Sequence, residues 1–267
     1  MRIDNTSKPQ SLLQQIQQKQ TDDLRKLASG KRVENAADDA AASQIIERLT
    51  AESQAYQRSL GNAYDGISML SVAEGGLENI NADVSRIREL TIQAGNGALN
   101  DSDRRALQSE VDQLRANIGQ TLERTEFAGQ PLLTQDETRS FQVGSGSGDT
   151  VGVQLRDMRS QGLSALDNIN LTDPDARANL LDELDRVSES VASQRAEFGA
   201  QQNAFLSTAR NLAQTDVNTQ AARSRMQDLD YAMGTASSIQ NQMLQNSALA
   251  MQGQANAQNE LVLSVLS

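Results

Sequence analysis

The chain has 267 residues, of which 37% are hydrophobic and only 3% aromatic, with no tryptophan, so thin helix-on-helix seams suit it better than a thick sheet core. A net charge of −11 repels phosphate backbones and anionic membrane surfaces and so argues against nucleic acid as a partner. With neither cysteine nor histidine, disulfides, thiolate metal sites, cysteine nucleophiles and the commonest general base are all closed, so no catalytic, cofactor or metal residues are expected.

The opening MRIDNTSKPQSLLQQ lacks the apolar core of a secretory signal, and no stretch reaches the roughly 20 apolar residues that span a bilayer. Residues 10–28 place Leu13, Ile16, Gln20, Leu24 and Leu27 on one narrow, partly polar stripe. That pattern predicts a helix too weak to persist alone, and Pro9 limits how early it can start. The stretch SGKRVENAADDAA, residues 29–41, then interrupts the helical run. Gly30 breaks it, Asn35 stands where an N-cap belongs, and Asp38, three residues on, puts an acid into the positive first turn of a new helix. A near-heptad stripe runs from Ile45 to Thr91, long enough for a rod of about 80 Å at 1.5 Å per residue.

AGNGALNDSD, residues 94–103, supplies glycine for the end of that rod, and Ser102 or a neighbouring Asp or Asn for the next cap. Leu107, Val111, Leu114, Ile118 and Leu122 or Thr125 predict a shorter helix folding back antiparallel, ended by FAGQPLL. In SFQVGSGSGDTVGVQL, residues 140–155, apolar residues alternate around a Gly/Ser tip, the one β-hairpin the sequence offers. MRSQGLSALDNINL reads as irregular with apolar anchors, and Asp173-Pro174 starts a third long helix whose heptad-like stripe runs from Leu180 to Leu212. A second charged joint, ARSRMQDLDYAMGT, precedes a last helix carrying Ala236, Ile239, Met243, Ala250 and Met251 and closing on Leu263 and Leu266.

The order is close to a palindrome: weak terminal helix, joint, strong rods around a small β-insert, joint, weak terminal helix. It predicts a mainly α fold, an elongated antiparallel helical bundle or coiled coil with a β-hairpin insert and both chain ends together. Structure is then itself the function: terminal helices become ordered when neighbouring copies bury their stripes, and a head-to-tail contact that does not close gives a fibre.

The segment LASGKRVENAADDAAASQIIERL, residues 27–49, resembles the N-terminal signature of bacterial flagellins. Residues 62–114, the pair TEFAGQPLL and FQVGSGSGDTVGV, and residues 221–267 are similar to the family's core rod, its entry to the β-region and its C-terminal end. The resemblance covers nearly the whole chain and implies a minimal, core-only filament subunit. It implies that residues 1–34 and 230–267 pair as the inner coiled coil, that residues 35–229 form the outer helical rod with its hairpin at about 140–155, and that Gly30, Asn35, Asp38 and Asp39 form the interdomain joint. Leu13, Ile16, Leu24, Leu27, Ile239, Met243, Met251, Leu263 and Leu266 are the expected polymerisation residues.

The family also implies unfolded export by the flagellar type III apparatus without a cleavable signal peptide, and an extracellular location in the flagellum. The implied partners are other subunits, a flagellar secretion chaperone, the filament cap and hook-associated proteins, and an innate Toll-like receptor. For that receptor, Arg86, Leu90 and Glu110 match the recognised surface; from spacing alone, Arg86 and Glu110 are an ordinary solvated ion pair. The start MRI is closer to the hook–filament junction protein, which stands as the alternative. From a different class, a chemoreceptor's cytoplasmic helical hairpin would need a tight helical turn where this chain has Gly/Ser-tipped alternation.

Overall fold

The computed structural model describes the backbone of residues 7–266, and the side chains of all of these except 7–12, 174–178, 255 and 258–266. Its helices are α1 (Ser7–Ser29), α2 (Ala40–Ala94), α3 (Asp101–Arg124), α4 (Pro174–Gln227) and α5 (Tyr231–Leu266). Strands β1 (Glu126–Phe127), β2 (Gln130–Pro131), β3 (Glu137–Gln142) and β4 (Thr150–Leu155) and a 3-10 turn, Leu163–Asn168, lie between α3 and α4. The fold is mainly α, as the periodicity predicts. Two compact units divide it: Met1–Ser53 with Val217–Ser267, and Gln54–Asp216.

Within the unit Gln54–Asp216, the heptad stripes become one core. Leu77, Ile80, Val84 and Ile87 of α2, Val111 and Ile118 of α3, and Leu184, Val191, Phe198 and Phe205 of α4 are all buried in it. The turn back is fixed by Asn100, whose Oδ1 accepts from the Ser102 and Asp103 amides at 2.8 and 3.0 Å. Asp103 Oδ2 accepts from the Asn100 amide at 3.1 Å, closing a reciprocal capping box that satisfies the otherwise orphaned first-turn N–H groups. The C-terminal rod starts at Pro174, at the position its missing N–H leaves free.

The hairpin pairs Glu137 with Leu155 through Gln142 with Thr150. Phe141 on β3 meets Phe205 of α4 edge to face, with centroids 5.5 Å apart. Phe205 in turn fills the space beside Gly66, where a Cβ would stand 2.6 Å from its ring. The Gly/Ser tip is held as well: Asn62 Nδ2 donates to Gln142 O at 2.8 Å, and the Gly146 amide donates to Asp149 Oδ2 at 2.9 Å. The expectation of a single hairpin is corrected, because β1 and β2 form a second antiparallel pair over EFAGQP, residues 126–131. Its loop residues Ala128 and Gly129 both have positive φ, 51° and 76°.

In the other unit, Val33, Ala42 and Ile46 bury together against Met226. Ile46, not the predicted Ile45, is therefore the inward residue: Ile45 is 36% exposed. Helix α1 begins at Ser7, earlier than predicted, which Pro9 permits because first-turn N–H groups have no intrahelical acceptor. No helix among the described residues is long and apolar enough to cross a membrane.

Candidate functional site

The segment expected to form the joint begins where α1 ends. Gly30 has φ of 68° and donates to Lys26 O at 2.9 Å, the left-handed helix ending that glycine adopts without steric penalty. A Cβ there would lie 3.1 Å from Tyr231 Oη, which donates to Leu27 O at 3.1 Å. Segment 30–33 is laced to 226–229: Leu229 N donates to Gly30 O, Arg32 N to Gln227 O, and Arg32 Nη2 to Met226 O, at 2.9, 2.7 and 2.7 Å. Arg32 and Met226, 194 positions apart in sequence, are thereby brought together by bonds to backbone carbonyls that no stripe of apolar residues announces.

Asn35 is not the N-cap of the next helix. That helix starts at Ala40, and Asp39 caps it, its Oδ1 accepting from the Ala42 amide at 2.9 Å. Asp38 instead turns back, accepting on Oδ2 from the Glu34 and Asn35 amides at 3.1 Å each. Its Oδ1 lies 3.6 Å from Lys26 Nζ and 3.7 Å from Arg25 Nη2. The Asn35 amide, then the Glu34 amide, holds the Asp38 carboxyl below its ordinary value, with the two cations helping and desolvation opposing.

Helices α1 and α5 pack antiparallel, but their seam holds a polar cluster toward the end of α1: Asp23 Oδ2 accepts from Asn241 Nδ2 at 2.7 Å and Ser237 Oγ at 3.1 Å. Near the end of α1 the helices approach closely, and a Cβ on Gly234 would lie 3.1 Å from Leu27 Cδ2. Ile16 is buried, Leu13 and Leu27 are half-buried, and Leu24 is 54% exposed. The predicted stripe of α5 does not face α1. Ile239, Met243 and Met251 are 53%, 64% and 67% exposed, joined by Met233, Leu244 and Leu249 on the outside. Leu263 and Leu266 have side chains outside the described residues.

On the unit Gln54–Asp216, Arg86 bridges two helices. Its Nε and Nη2 donate to Glu110 Oε1 at 3.0 and 2.8 Å, and its Nη1 donates to Glu89 Oε2 at 2.9 Å. Those bonds, Glu110's first, hold the guanidinium pKa above its ordinary value. Arg86 and Glu110 are 50% and 44% exposed. Leu90, expected on the same surface, is 1% exposed and belongs to the core.

Long heptad-patterned helices, a pair of terminal helices joined through polar contacts and an apolar helix face left outside define a helical structural subunit. The pattern of the bacterial flagellin N-terminal helical region matches residues 4–138, and that of the bacterial flagellin C-terminal helical region matches residues 181–266. The chain belongs to the bacterial flagellin family, and it is a structural subunit of the flagellar filament, outside the cell. It is 33% identical to a flagellin of Halalkalibacterium halodurans, over 91% of this chain and 90% of that one. To a flagellin of Bacillus subtilis it is 32% identical, over 91% of each chain. Among solved structures, Bacillus cereus flagellin matches with a TM-score of 0.53 and 28% identity, over 57% of this chain and 88% of that one. A putative flagellar hook-associated protein of Vibrio parahaemolyticus matches with a TM-score of 0.61 over 72% of this chain and 100% of that one. At 15% identity it shares the fold alone.

Proposed function

We propose that this flagellin completes its fold by polymerising. The observation that carries the reading is the outer face of α5, where Ile239, Met243 and Met251 stand more than half exposed while Ser237 and Asn241 take the place against α1. Each large apolar side chain gains about 1.5–3 kcal/mol on full burial, so neighbouring copies that cover this face supply stability the single chain lacks. Leu24 adds to the same apolar supply on α1. Residues 1–34 and 230–267 are the inner, assembly-dependent part; residues 35–229 are the outer part; Gly30, Asn35, Asp38 and Asp39 are the joint between them. A heterologous contact that does not close propagates them into a helical fibre.

Before assembly, the same α5 face is what a flagellar secretion chaperone would cover, as an amphipathic helix laid in a groove. Export unfolded through the flagellar type III apparatus fits a chain with no disulfides to form. At the filament ends the cap and the hook-associated proteins take the place of a further copy. Arg86 and Glu110 form the receptor-facing pair for an innate Toll-like receptor; Leu90 reaches that receptor only if α2 repacks.

Electron microscopy of the purified chain after salting out is expected to show hollow filaments, with α5 amides gaining exchange protection only in the polymer. Full α5 protection in the dilute single chain would overturn coupled folding. Arg86→Ala is expected to weaken binding to the receptor ectodomain, and unchanged affinity removes that surface.

A further inference from the structure

The turn between α2 and α3 holds the only asparagine in the chain that is followed by glycine, Asn96–Gly97. Both residues are exposed, and a Cβ built on Gly97 would meet nothing. An Asn–Gly pair is chemically labile because the glycine nitrogen can approach the preceding side-chain amide without a Cβ in the way. What distinguishes this pair is its hydrogen bonding.

The Ala98 amide donates to Asn96 Oδ1 at 3.0 Å, which withdraws electron density from Cγ and places a donor where an oxyanion would form. Asn96 O is the carbonyl of the peptide bond whose nitrogen is Gly97 N. It accepts from the Leu99 amide at 3.2 Å and from Arg104 Nη2 at 3.4 Å. A cation on that oxygen favours the amidate that remains when Gly97 N gives up its proton. Arg104 is held in place beside it, because its Nε donates to Ala94 O at 3.4 Å, its Nη1 lies 3.6 Å from Asp101 Oδ1, and its side chain is only 17% exposed.

We propose that Asn96–Gly97 is a self-modification site, where the folded chain converts Asn96 to aspartate and isoaspartate with Arg104 promoting the reaction. Gly97 N bonds to Asn96 Cγ as its proton passes to solvent base. The Cγ–Nδ2 bond breaks, and Nδ2 takes a proton from water and leaves as ammonia. Water then opens the cyclic imide. Cleavage of the new Cγ–N bond restores the main chain with aspartate at 96; cleavage at the backbone carbonyl routes the chain through the side chain as isoaspartate. Nothing is oxidised, and water is the one co-reactant. The product puts a new carboxylate beside Arg104, and the isoaspartyl form lengthens the connection between α2 and α3.

Asn100 is the internal reference, since it precedes Asp101, whose Cβ crowds the approach of the following amide nitrogen that Gly97 leaves open. The full chain would be held folded at mildly alkaline pH and mapped by mass spectrometry for the mass gained when an amide NH2 becomes OH. Isoaspartate would be scored by enzymatic methyl transfer. The expected result is conversion at Asn96 with Asn100 intact, at a rate no slower than in the same chain unfolded by denaturant. Arg104→Gln is expected to slow conversion roughly three- to tenfold, the rate equivalent of one modest charge-assisted hydrogen bond. Asn96 intact in the folded chain but converted in denaturant would overturn the proposal, and that comparison needs no variant. Equal rates in Arg104→Gln and the parent would overturn the role of Arg104.

Discussion

Two neighbouring carboxylates in the loop between α1 and α2 have separate roles. Asp39 satisfies a first-turn amide of α2, so Asp39→Ala should cost about 1 kcal/mol in denaturant unfolding, whereas Asn35→Ala should cost only a few tenths. Equal losses would return the cap to Asn35. Asp38 serves the loop by accepting the Glu34 and Asn35 amides, and its depressed pKa gives that loop a direction of pH dependence. A carboxylate that binds its proton less readily when folded adds stability that is fully present above its ordinary value, 3.8, and is lost as pH falls through the lower folded value. Exchange protection of the Glu34 and Asn35 amides should therefore hold steady from neutral pH down to 3.8 and fall below it. Asp38→Asn should abolish that step. Loss of protection already near neutral pH would mean that another group governs the loop.

Among the elements, the β1–β2 pair joins Phe127 to Gln130 through Ala128 and Gly129, both in the left-handed region. An alanine there is strained by about 1–2 kcal/mol, while Ala128→Gly returns roughly 0.4–1 kcal/mol of freedom to the unfolded chain. The net expectation is a gain of about 0.5–1 kcal/mol, read as a higher Tm; a lower Tm would show the alanine to be unstrained. The same residue explains why the pair was not legible in the sequence. Its turn is Ala-Gly in place of Asn-Gly, and strands of two residues cannot display alternation. The long rods were legible because burial on α2, α3 and α4 follows one period over many turns, from Leu77 through Val111 to Phe205. The burial of Leu90 was missed: the resemblance placed it on an exposed surface, although it stands three residues beyond buried Ile87. The cap was ambiguous because Asn35, Asp38 and Asp39 all offer acceptors within a turn, and only the folded loop assigns each a donor. Helix α5 displayed its apolar stripe plainly, yet nothing local says which face meets α1. That is decided by Asp23 finding Ser237 and Asn241.

For the whole molecule, that choice of face separates folding of one chain from joining of many. Ile239 and Met243 are 53% and 64% exposed, so Ile239→Asp and Met243→Asp remove little from the single chain, within about 0.5 kcal/mol each, and its helicity by circular dichroism should be unchanged. In a polymer that covers the exposed half or more of each side chain, each change forfeits about 1–2 kcal/mol of burial and adds the desolvation of an unpaired carboxylate. Every 1.4 kcal/mol is tenfold in an association constant, so either variant should raise the critical concentration for polymerisation, measured by sedimentation, by at least about tenfold. Asp23→Ala should act in the opposite order, because it leaves Asn241 without its acceptor inside the α1–α5 seam and perturbs the single chain first. If instead Met243→Asp polymerised at the parent's critical concentration, the outer face of α5 would lie outside the contacts between subunits, and the exposed methionines and leucines along it would need another apolar surface to cover them.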